Sequence, residues 1–220
     1  MTNRYMTKFA YVRHYIELFD FVFWIDDDAF FVDLQKSLDP FVPPTGKLAS
    51  FCKSPTNKKI FTYLSSGQFL MRGGSESAAL IDAVVNTPMD VVEEWWREDL
   101  GMYTKGDQDA LVYVLHENPR FKNSVELFDY SAFNSRIADL ETTPDRVFLL
   151  HFTGPRDRKL ADAHRAAELL GTGPSLIPNE LEKDLLGGRS RKSVLAPAFS
   201  KSKRKGRKSI LSRLFRQLKR

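Results

Sequence analysis

Three consecutive carboxylates, Asp26, Asp27 and Asp28, are the feature of this sequence best suited to chemistry. They directly follow an apolar run at residues 21–25, which predicts a fully buried strand. Like charges at a buried strand end repel each other and lose hydration, so they are costly unless a cation lies there. In an extended chain, Asp26 and Asp28 point the same way, roughly 6–7 Å apart, and Asp27 points the other way. The pattern favours a divalent-cation site on Asp26 and Asp28, with a solvated acidic strand end as the alternative.

A second apolar run ends in another residue that can bind a metal. Residues 146–150 lead into His151, and a Gly154-Pro155 turn follows. Ligands of open α/β sheets gather beyond the carboxyl ends of the strands, so His151 is placed to converge with the acidic residues. A lone histidine at a strand end is more often structural, and the metal interpretation therefore depends on that convergence. The turn is followed by a cationic cluster suited to phosphate oxygens, Arg156, Arg158 and Lys159.

Two further segments combine polar side chains with backbone that a ligand can approach. Residues 65–67, Ser-Ser-Gly, lie between two predicted strands, where small side chains leave the backbone accessible. A tight turn or a β-bulge is the alternative there. Asp107 and Gln108 open a predicted helix, where Asp107 suits the N-cap position. The same pair is also well placed to meet a polar substrate.

The elements that must position these residues alternate between helix and strand. Apolar periodicity predicts helices at about 7–19, 75–87, 90–97, 107–117 and 160–170. Apolar runs predict strands at about 21–25, 48–52, 60–64, 69–72 and 146–150. Ser75 is a candidate N-cap for its helix. Lys8 and Arg13, in the first helix, are interpreted as solvated surface charges, with phosphate contact as the alternative.

The composition suits one globular domain with an appendage. The chain has 220 residues, of which 42% are hydrophobic, enough for a sizeable core. Its single cysteine, Cys52, excludes an internal disulfide framework and a multi-cysteine zinc site, and it fits a reducing compartment. No apolar run approaches the roughly 18–20 residues that span a bilayer, and the N-terminus has no signal-peptide core.

Charge is distributed very unevenly along the chain. Residues 189–220 hold 13 of the 33 Lys and Arg and no Asp or Glu. Residues 1–188 therefore hold 20 basic and 28 acidic residues, a net charge of −8. The basic run at 201–208 precedes a segment, 209–220, with apolar residues on one helical face and basic residues on the other. This pattern favours binding to an anionic membrane surface, with nucleic acid as the alternative.

Four segments together resemble the GT-A-fold glycosyltransferases that use a nucleotide-sugar donor. Residues 24–29, Trp-Ile-Asp-Asp-Asp-Ala, resemble the D-x-D metal motif that follows a buried strand. Residues 66–70 resemble the small-residue strand on the acceptor side, residues 107–111 the D-Q-x-A helix start, and residues 151–156 the closing H-F-x-G-x-K. The groups most similar are the yeast-type galactosyl/mannosyltransferases and the xyloglucan xylosyltransferases. The glycogenin-like and lipopolysaccharide galactosyltransferases come next.

The resemblance implies an α/β, GT-A-like (Rossmann-like) mixed sheet flanked by helices. Only 25 residues precede Asp26, fewer than in the family, so we expect an N-terminally shortened form of this fold. We expect the glycosyltransferase domain at residues 1–174, a flexible basic linker at 175–208 and a basic amphipathic helix at 209–220.

The resemblance also implies roles for individual residues. Asp26, Asp28 and His151 would hold Mn²⁺, with Mg²⁺ as the alternative. Asp107 and Gln108 would face the sugar and the transfer site. The donor-binding residues would be Arg13, Asp27, Ser66, Gly67, Gln68, Gly154 and Arg156.

The implied reaction moves a hexose or pentose from a nucleotide-diphosphate sugar to a glycan or lipid-linked acceptor, with retention of configuration. The expected location is cytoplasmic and peripheral on the membrane, with the Golgi lumen as the alternative if an anchor precedes this sequence. A second hypothesis is a catalytically inactive, truncated glycosyltransferase-like module that binds membrane or nucleic acid. A metal-dependent phosphohydrolase ranks third, because the sequence lacks further carboxylate and histidine clusters for a two-metal site.

Overall fold

A mixed sheet flanked by helices forms the part of the chain that the computed structural model describes, residues 6–55 and 61–173. The helices are α1 (Thr7–Tyr15), α2 (Ser75–Asn86), α3 (Met89–Trp95), α4 (Asp107–Glu117), α5 (Ile137–Thr142) and α6 (Arg156–Leu170). The strands are β1 (Phe21–Ile25), β2 (Ala29–Phe31), β3 (Ala49–Cys52), β4 (Ser65–Arg72), β5 (Val125–Phe128) and β6 (Leu149–His151).

Strand pairing confirms the predicted fold class. The larger sheet has the order β1-β4-β3-β5, with β3 and β5 parallel and the other neighbours antiparallel. A second sheet pairs β2 with β6 in antiparallel register, and Ala29 lies opposite His151. Because β1 and β2 are separated only by the acidic residues 26–28, those residues connect the two sheets.

The main core lies between the larger sheet and helices α1, α2 and α4. Phe9 of α1 stacks on Phe69 of β4 with ring centroids 5.6 Å apart, and both are completely buried. The prediction that residues 21–25 are fully buried is wrong, because all five residues of β1 are only half-buried. The reason is position: within the described residues, β1 pairs with β4 alone and forms an edge of the sheet.

Several predicted boundaries also differ. The first helix ends at Tyr15 instead of residue 19, because the chain turns away and the Ile16 carbonyl accepts the Gly74 N–H at 3.0 Å. The predicted strand at 60–64 is wrong for its described residues, of which only Thr62 forms an isolated bridge, to Gly101. Strand β4 begins at Ser65 and continues to Arg72, so the Ser-Ser-Gly segment is strand and not a tight turn. The register of β4 against β3 shifts between the pairs Phe51–Phe69 and Cys52–Ser65, so the segment contains the bulge that was the other alternative.

Two predicted N-caps are also wrong. Helix α2 is capped by Gly74 instead of Ser75, and α4 is capped by Gly106 instead of Asp107. The carboxylate of Asp109 accepts the N–H groups of Thr104 and Gly106 at 2.8 and 3.2 Å, so it satisfies the backbone before α4. Asp107 is therefore not engaged in capping.

The predicted linker at 175–208 and amphipathic helix at 209–220 lie outside the described residues. Within the described part of the chain, no helix combines the length and the apolar character needed to cross a bilayer.

Candidate metal and substrate site

The acidic residues lie in a tight turn and not in extended chain as the sequence predicted. Strand β1 ends at Ile25, and the Ala29 N–H donates to the Asp26 carbonyl at 3.2 Å, which closes the turn. The Asp26 N–H donates to the Gly67 carbonyl at 2.8 Å and ties the start of the turn to β4. Turn geometry, instead of strand alternation, brings Asp26 and Asp28 to one side. Asp27 between them is exposed.

Pairing of β2 with β6 brings His151 to this turn. The Phe152 N–H donates to the Asp28 carbonyl at 2.9 Å, so the end of β6 is fixed against the acidic residues. Asp26, Asp28 and His151 each offer a ligand atom, and these three atoms lie within 4.8 Å of one another. His151 Nε2 is 3.2 Å from Asp28 Oδ1. The structure thus brings together Asp26 and His151, which are 125 positions apart in the sequence.

Gly67 of β4 lies directly against the side chains of Asp26 and His151 in this cluster. A Cβ atom built on Gly67 would lie 2.8 Å from His151 Cε1 and 3.2 Å from Asp26 Oδ2. Any larger residue would therefore occupy the space of the two side chains that it faces. The close approach explains why a glycine in the middle of a buried strand is compatible with this site.

The three side chains fit a divalent cation. Two carboxylate oxygens and one imidazole nitrogen match the ligands of hard to borderline metals such as Mn²⁺ and Mg²⁺. Burial alone would raise the pKa of Asp28, but hydrogen bonds and charge from His151 and Lys159 outweigh burial and lower it. Asp26 accepts the indole N–H of Trp24 at 2.8 Å, which orients its carboxylate. Ionised and oriented oxygens are what cation binding requires.

Two lysines, one from the first helix and one from the last described helix, pair with carboxylates of this acidic cluster. Lys8 Nζ lies 3.2 Å from Asp26 Oδ1, and Lys159 Nζ pairs with Asp28. The interpretation of Lys8 as a solvated surface charge is wrong, because its side chain is only 13% exposed and points into the site. One turn along α1 lies the buried Val12, so helical spacing already placed Lys8 on the inward side.

Asp107 and Gln108 at the start of α4 join the same network. Ser66 Oγ donates to Asp107 Oδ2 at 2.9 Å, and the Ser66 N–H donates to Gln108 Oε1 at 3.1 Å. Lys8 Nζ lies 3.3 Å from Asp107 Oδ2 and donates to the Ser66 carbonyl at 2.9 Å. Burial raises the pKa of Asp107, although Lys8 and Ser66 act against it. Lys8 thus bridges the carboxylate of Asp26 in the cluster and the carboxylate of Asp107 that opens α4.

The remaining predicted donor-binding residues are placed less centrally. Arg13 donates to Asp82 at 3.0 Å and to Glu17 at 2.7 Å on the exposed side of α1. Gln68 is completely buried, and neither atom of its amide has a partner within the described residues. Gly154 has a φ of 103°, and Arg156, the first residue of α6, is exposed.

Asn134, which the sequence did not indicate as a site residue, contacts His151 from the other side of the ring. Its Oδ1 lies 2.8 Å from His151 Nδ1, and both side chains are buried. Asn134 belongs to the loop between β5 and α5, where neither a periodic pattern nor a motif distinguishes it. Trp24 was also missed, although its spacing of two residues from Asp26 is the spacing of neighbours on one face of a strand.

Comparison with known proteins finds a similar fold in one solved glycosyltransferase structure. The sequence matches no protein-family model and no curated protein. Among solved structures, it is similar to a glycosyltransferase involved in the glycosylation of the major capsid of PBCV-1, with 12% identity and a TM-score of 0.52 over 77% of this chain and 78% of that one. The glycosyltransferase GlyE of Streptococcus pneumoniae TIGR4 matches at 13% identity over 76% of this chain and 48% of that one. Its TM-score of 0.38 is too low to indicate a common fold. The chain therefore shares the mixed α/β fold of the PBCV-1 glycosyltransferase.

Proposed function

We propose that this protein is a metal-dependent glycosyltransferase. It moves a hexose or pentose from a nucleotide-diphosphate sugar to a glycan or lipid-linked acceptor, with retention of configuration as in the families that its sequence resembles. The observation that supports this most is the convergence of Asp26, Asp28 and His151, whose ligand atoms lie within 4.8 Å of one another. The shared fold of the PBCV-1 glycosyltransferase is consistent with the same chemistry.

The cluster would hold Mn²⁺, with Mg²⁺ as the alternative, through Asp26, Asp28 and His151. When bound, the cation supplies Lewis-acid stabilisation of the leaving nucleoside diphosphate. The chain's own contribution to the diphosphate is cationic. Lys8 and Lys159, which pair with the carboxylates here, lie where they can donate to phosphate oxygens once the carboxylate charge is matched by a cation.

Asp107 and Gln108 orient the sugar in this proposal. Ser66 of β4 and Lys8 of α1 contact these residues. Because β4 and α1 also hold Asp26, they position the proposed sugar-binding residues and the cation ligand together. A buried carboxylate with a raised pKa beside a fixed amide suits hydrogen bonds to sugar hydroxyl groups. Asp107 is held by Ser66 and Lys8, and Gln108 is held by the Ser66 N–H, which limits the reorganisation needed when a sugar binds.

In this proposal the protein meets its acceptor at a membrane surface. The basic segment at residues 201–220 would attach the protein to an anionic membrane surface, where a lipid-linked acceptor is available. This step rests on the amphipathic pattern of the sequence, since the segment lies outside the described residues. The proposed location is the cytoplasmic face of that membrane.

Donor hydrolysis tests the function without knowledge of the acceptor. The full chain is incubated with Mn²⁺ and, in turn, UDP-glucose, UDP-galactose, UDP-xylose and GDP-mannose, and release of the nucleoside diphosphate is measured. We expect slow release from at least one donor, because water replaces the missing acceptor, and none after addition of EDTA. No release from any donor, together with no binding of UDP or GDP in the presence of Mn²⁺, would support the inactive-module alternative.

Replacing Lys159 by Met separates its role from that of the metal ligands. We expect Lys159→Met to weaken UDP binding in the presence of Mn²⁺ about tenfold, because one charge-assisted hydrogen bond is lost. Binding of Mn²⁺ alone should be unchanged or tighter, since Asp28 loses its competing counter-ion. Isothermal titration calorimetry measures both affinities. The matched control is Arg165→Met, which removes another cation of α6 that pairs with Glu141. Equal UDP affinity in the Lys159 and Arg165 variants would contradict the assignment.

A further inference from the structure

The nitrogen of His151 that faces away from the acidic cluster has a buried partner of its own. His151 Nδ1 lies 2.8 Å from Oδ1 of Asn134, a residue with no exposed surface. This asparagine comes from the loop between β5 and α5, an element unrelated to either strand that carries the cluster. A buried contact supplied by a third segment constrains both the position and the rotation of the imidazole ring.

Arg136 identifies which atom of the asparagine amide faces the histidine. Arg136 Nη1 lies 2.7 Å from Asn134 Oδ1 and donates to the Asn134 carbonyl at 2.5 Å. Because a guanidinium group only donates, the amide atom between Arg136 and His151 must be the oxygen. An amide oxygen only accepts, so His151 Nδ1 must carry a proton and donate it to Asn134. In the neutral ring, the lone pair is then on Nε2, the nitrogen 3.2 Å from Asp28.

The arginine is itself held in place. The backbone N–H of Arg136 donates to Asp139 Oδ2 at 2.6 Å, and Arg136 is the N-cap of α5. Burial lowers the pKa of Arg136 to about 10, which leaves it cationic at neutral pH. A continuous series of hydrogen bonds thus runs from α5 through Arg136 and Asn134 to His151, and it ends at the cation site.

We propose that Asn134, oriented by Arg136, is a positioning residue that fixes the tautomer and rotation of His151 so that Nε2 faces the cation. This inference deepens the proposed function and rests on it. Partners that hold the outer nitrogen of a metal-binding histidine typically change metal affinity 10- to 100-fold when they are removed, on the order of what we expect here.

The hydrogen-bond inventory of Asn134 favours this role over simple loop packing. Its Oδ1 accepts from two side chains, whereas its buried Nδ2 has no partner within the described part of the chain. An unpaired buried amide donor is costly, so an asparagine that served the loop alone would be expected to use both ends of its amide. The end that is used is the one that faces His151.

Manganese affinity of two asparagine variants tests the proposal, measured on the full chain by the electron paramagnetic resonance signal of free Mn²⁺. Asn134→Leu removes the acceptor at similar volume, and we expect it to weaken Mn²⁺ binding about 10- to 100-fold. Asn134→Asp keeps an oxygen acceptor for both His151 and Arg136, and we expect it to stay within a few-fold of the wild type. Phe133→Leu controls for loosening of the same loop, since Phe133 packs against Phe41 and Phe128 away from the ring nitrogen.

A double-mutant cycle with His151→Ala distinguishes positioning from a general structural role. If Asn134 acts through His151, Asn134→Leu should cause no further loss of affinity in the His151→Ala background. The same loss in both backgrounds, or no loss in either, would overturn the proposal. Weakened binding in His151→Ala with unchanged binding in Asn134→Leu would overturn the role of Asn134 and leave the proposed function standing. Unchanged binding in both His151→Ala and Asp28→Ala would instead contradict the metal site, and the inference with it.

Discussion

Asp28→Ala should abolish the thermal stabilisation that Mn²⁺ and UDP together give the wild-type protein, and donor hydrolysis should be lost with it. Asp28 contacts His151 and Lys159, so its carboxylate links the imidazole of the cluster to a cation from α6. Its removal leaves a site with one carboxylate, too little charge to hold a divalent cation against water. A ligand present at 100 times its Kd stabilises the native state by about 2.7 kcal/mol, and this is the increment that should disappear.

Differential scanning fluorimetry with and without Mn²⁺ and UDP measures this effect directly. The control is Asp33→Ala, which removes a more exposed acid that pairs with Lys36 at 4.0 Å on the protein surface and makes no contact with the cluster that the structure shows. We expect the control to keep the full ligand-induced shift. If Asp28→Ala also keeps it, the cluster is not the metal site and the proposed mechanism fails.

The identity of the clustered residues was predictable because each follows an apolar run. Asp26 and Asp28 end one such run and His151 ends another, and ligand-type side chains at strand ends are expected to converge in α/β folds. The mechanism of convergence was not predictable. It depends on the pairing of β2 with β6, which are separated by more than a hundred residues, and on a turn at Asp26 that the local sequence does not distinguish from extended chain.

The fold class was predictable for a similar reason, whereas the burial of β1 was not. Alternating helical and strand patterns indicate a layered α/β arrangement from local periodicity alone. Whether an apolar strand is central or lies at an edge depends on how many partners it has, and that is a property of the whole topology. Strand β1 has only β4 beside it among the described residues, so its five apolar residues remain half-buried.

Lys8 and Asn134 show why the supporting residues of the site were misjudged or missed. A lysine on a helix is usually solvated, and only its contacts with Asp26, Ser66 and Asp107 make Lys8 an internal counter-ion. Asn134 is part of an irregular loop, and its role depends on its contacts with His151 and Arg136, which the folded chain places around it. Residues that bind a ligand leave a chemical signature in a sequence, but residues that hold those ligands in place depend on long-range contacts.

Gly67→Ala should separate cation binding from folding more cleanly than any ligand substitution. The added Cβ would lie 2.8 Å from His151 Cε1 and 3.2 Å from Asp26 Oδ2, too close for either contact to persist. The neighbours that must move are side chains of the cluster and not backbone, so the sheet can keep its pairing while the ligand atoms separate. We expect Mn²⁺ affinity to fall about tenfold or more, as for other losses of ligand orientation, at a stability cost of about 1–3 kcal/mol for overpacking.

Gly74→Ala supplies the opposite behaviour and makes the comparison decisive. Gly74 has a φ of 119° and open space where a Cβ would lie, so alanine there introduces backbone strain without touching the cluster. It should lower the melting temperature and leave Mn²⁺ affinity unchanged. Calorimetric titration of Mn²⁺ into both variants, together with thermal denaturation of each, gives the two quantities separately. Loss of affinity in proportion to loss of stability in both variants would show that Gly67 is needed only for folding. Loss of affinity in Gly67→Ala alone would mean that metal binding requires the metal-binding side chains to lie in the space next to this glycine.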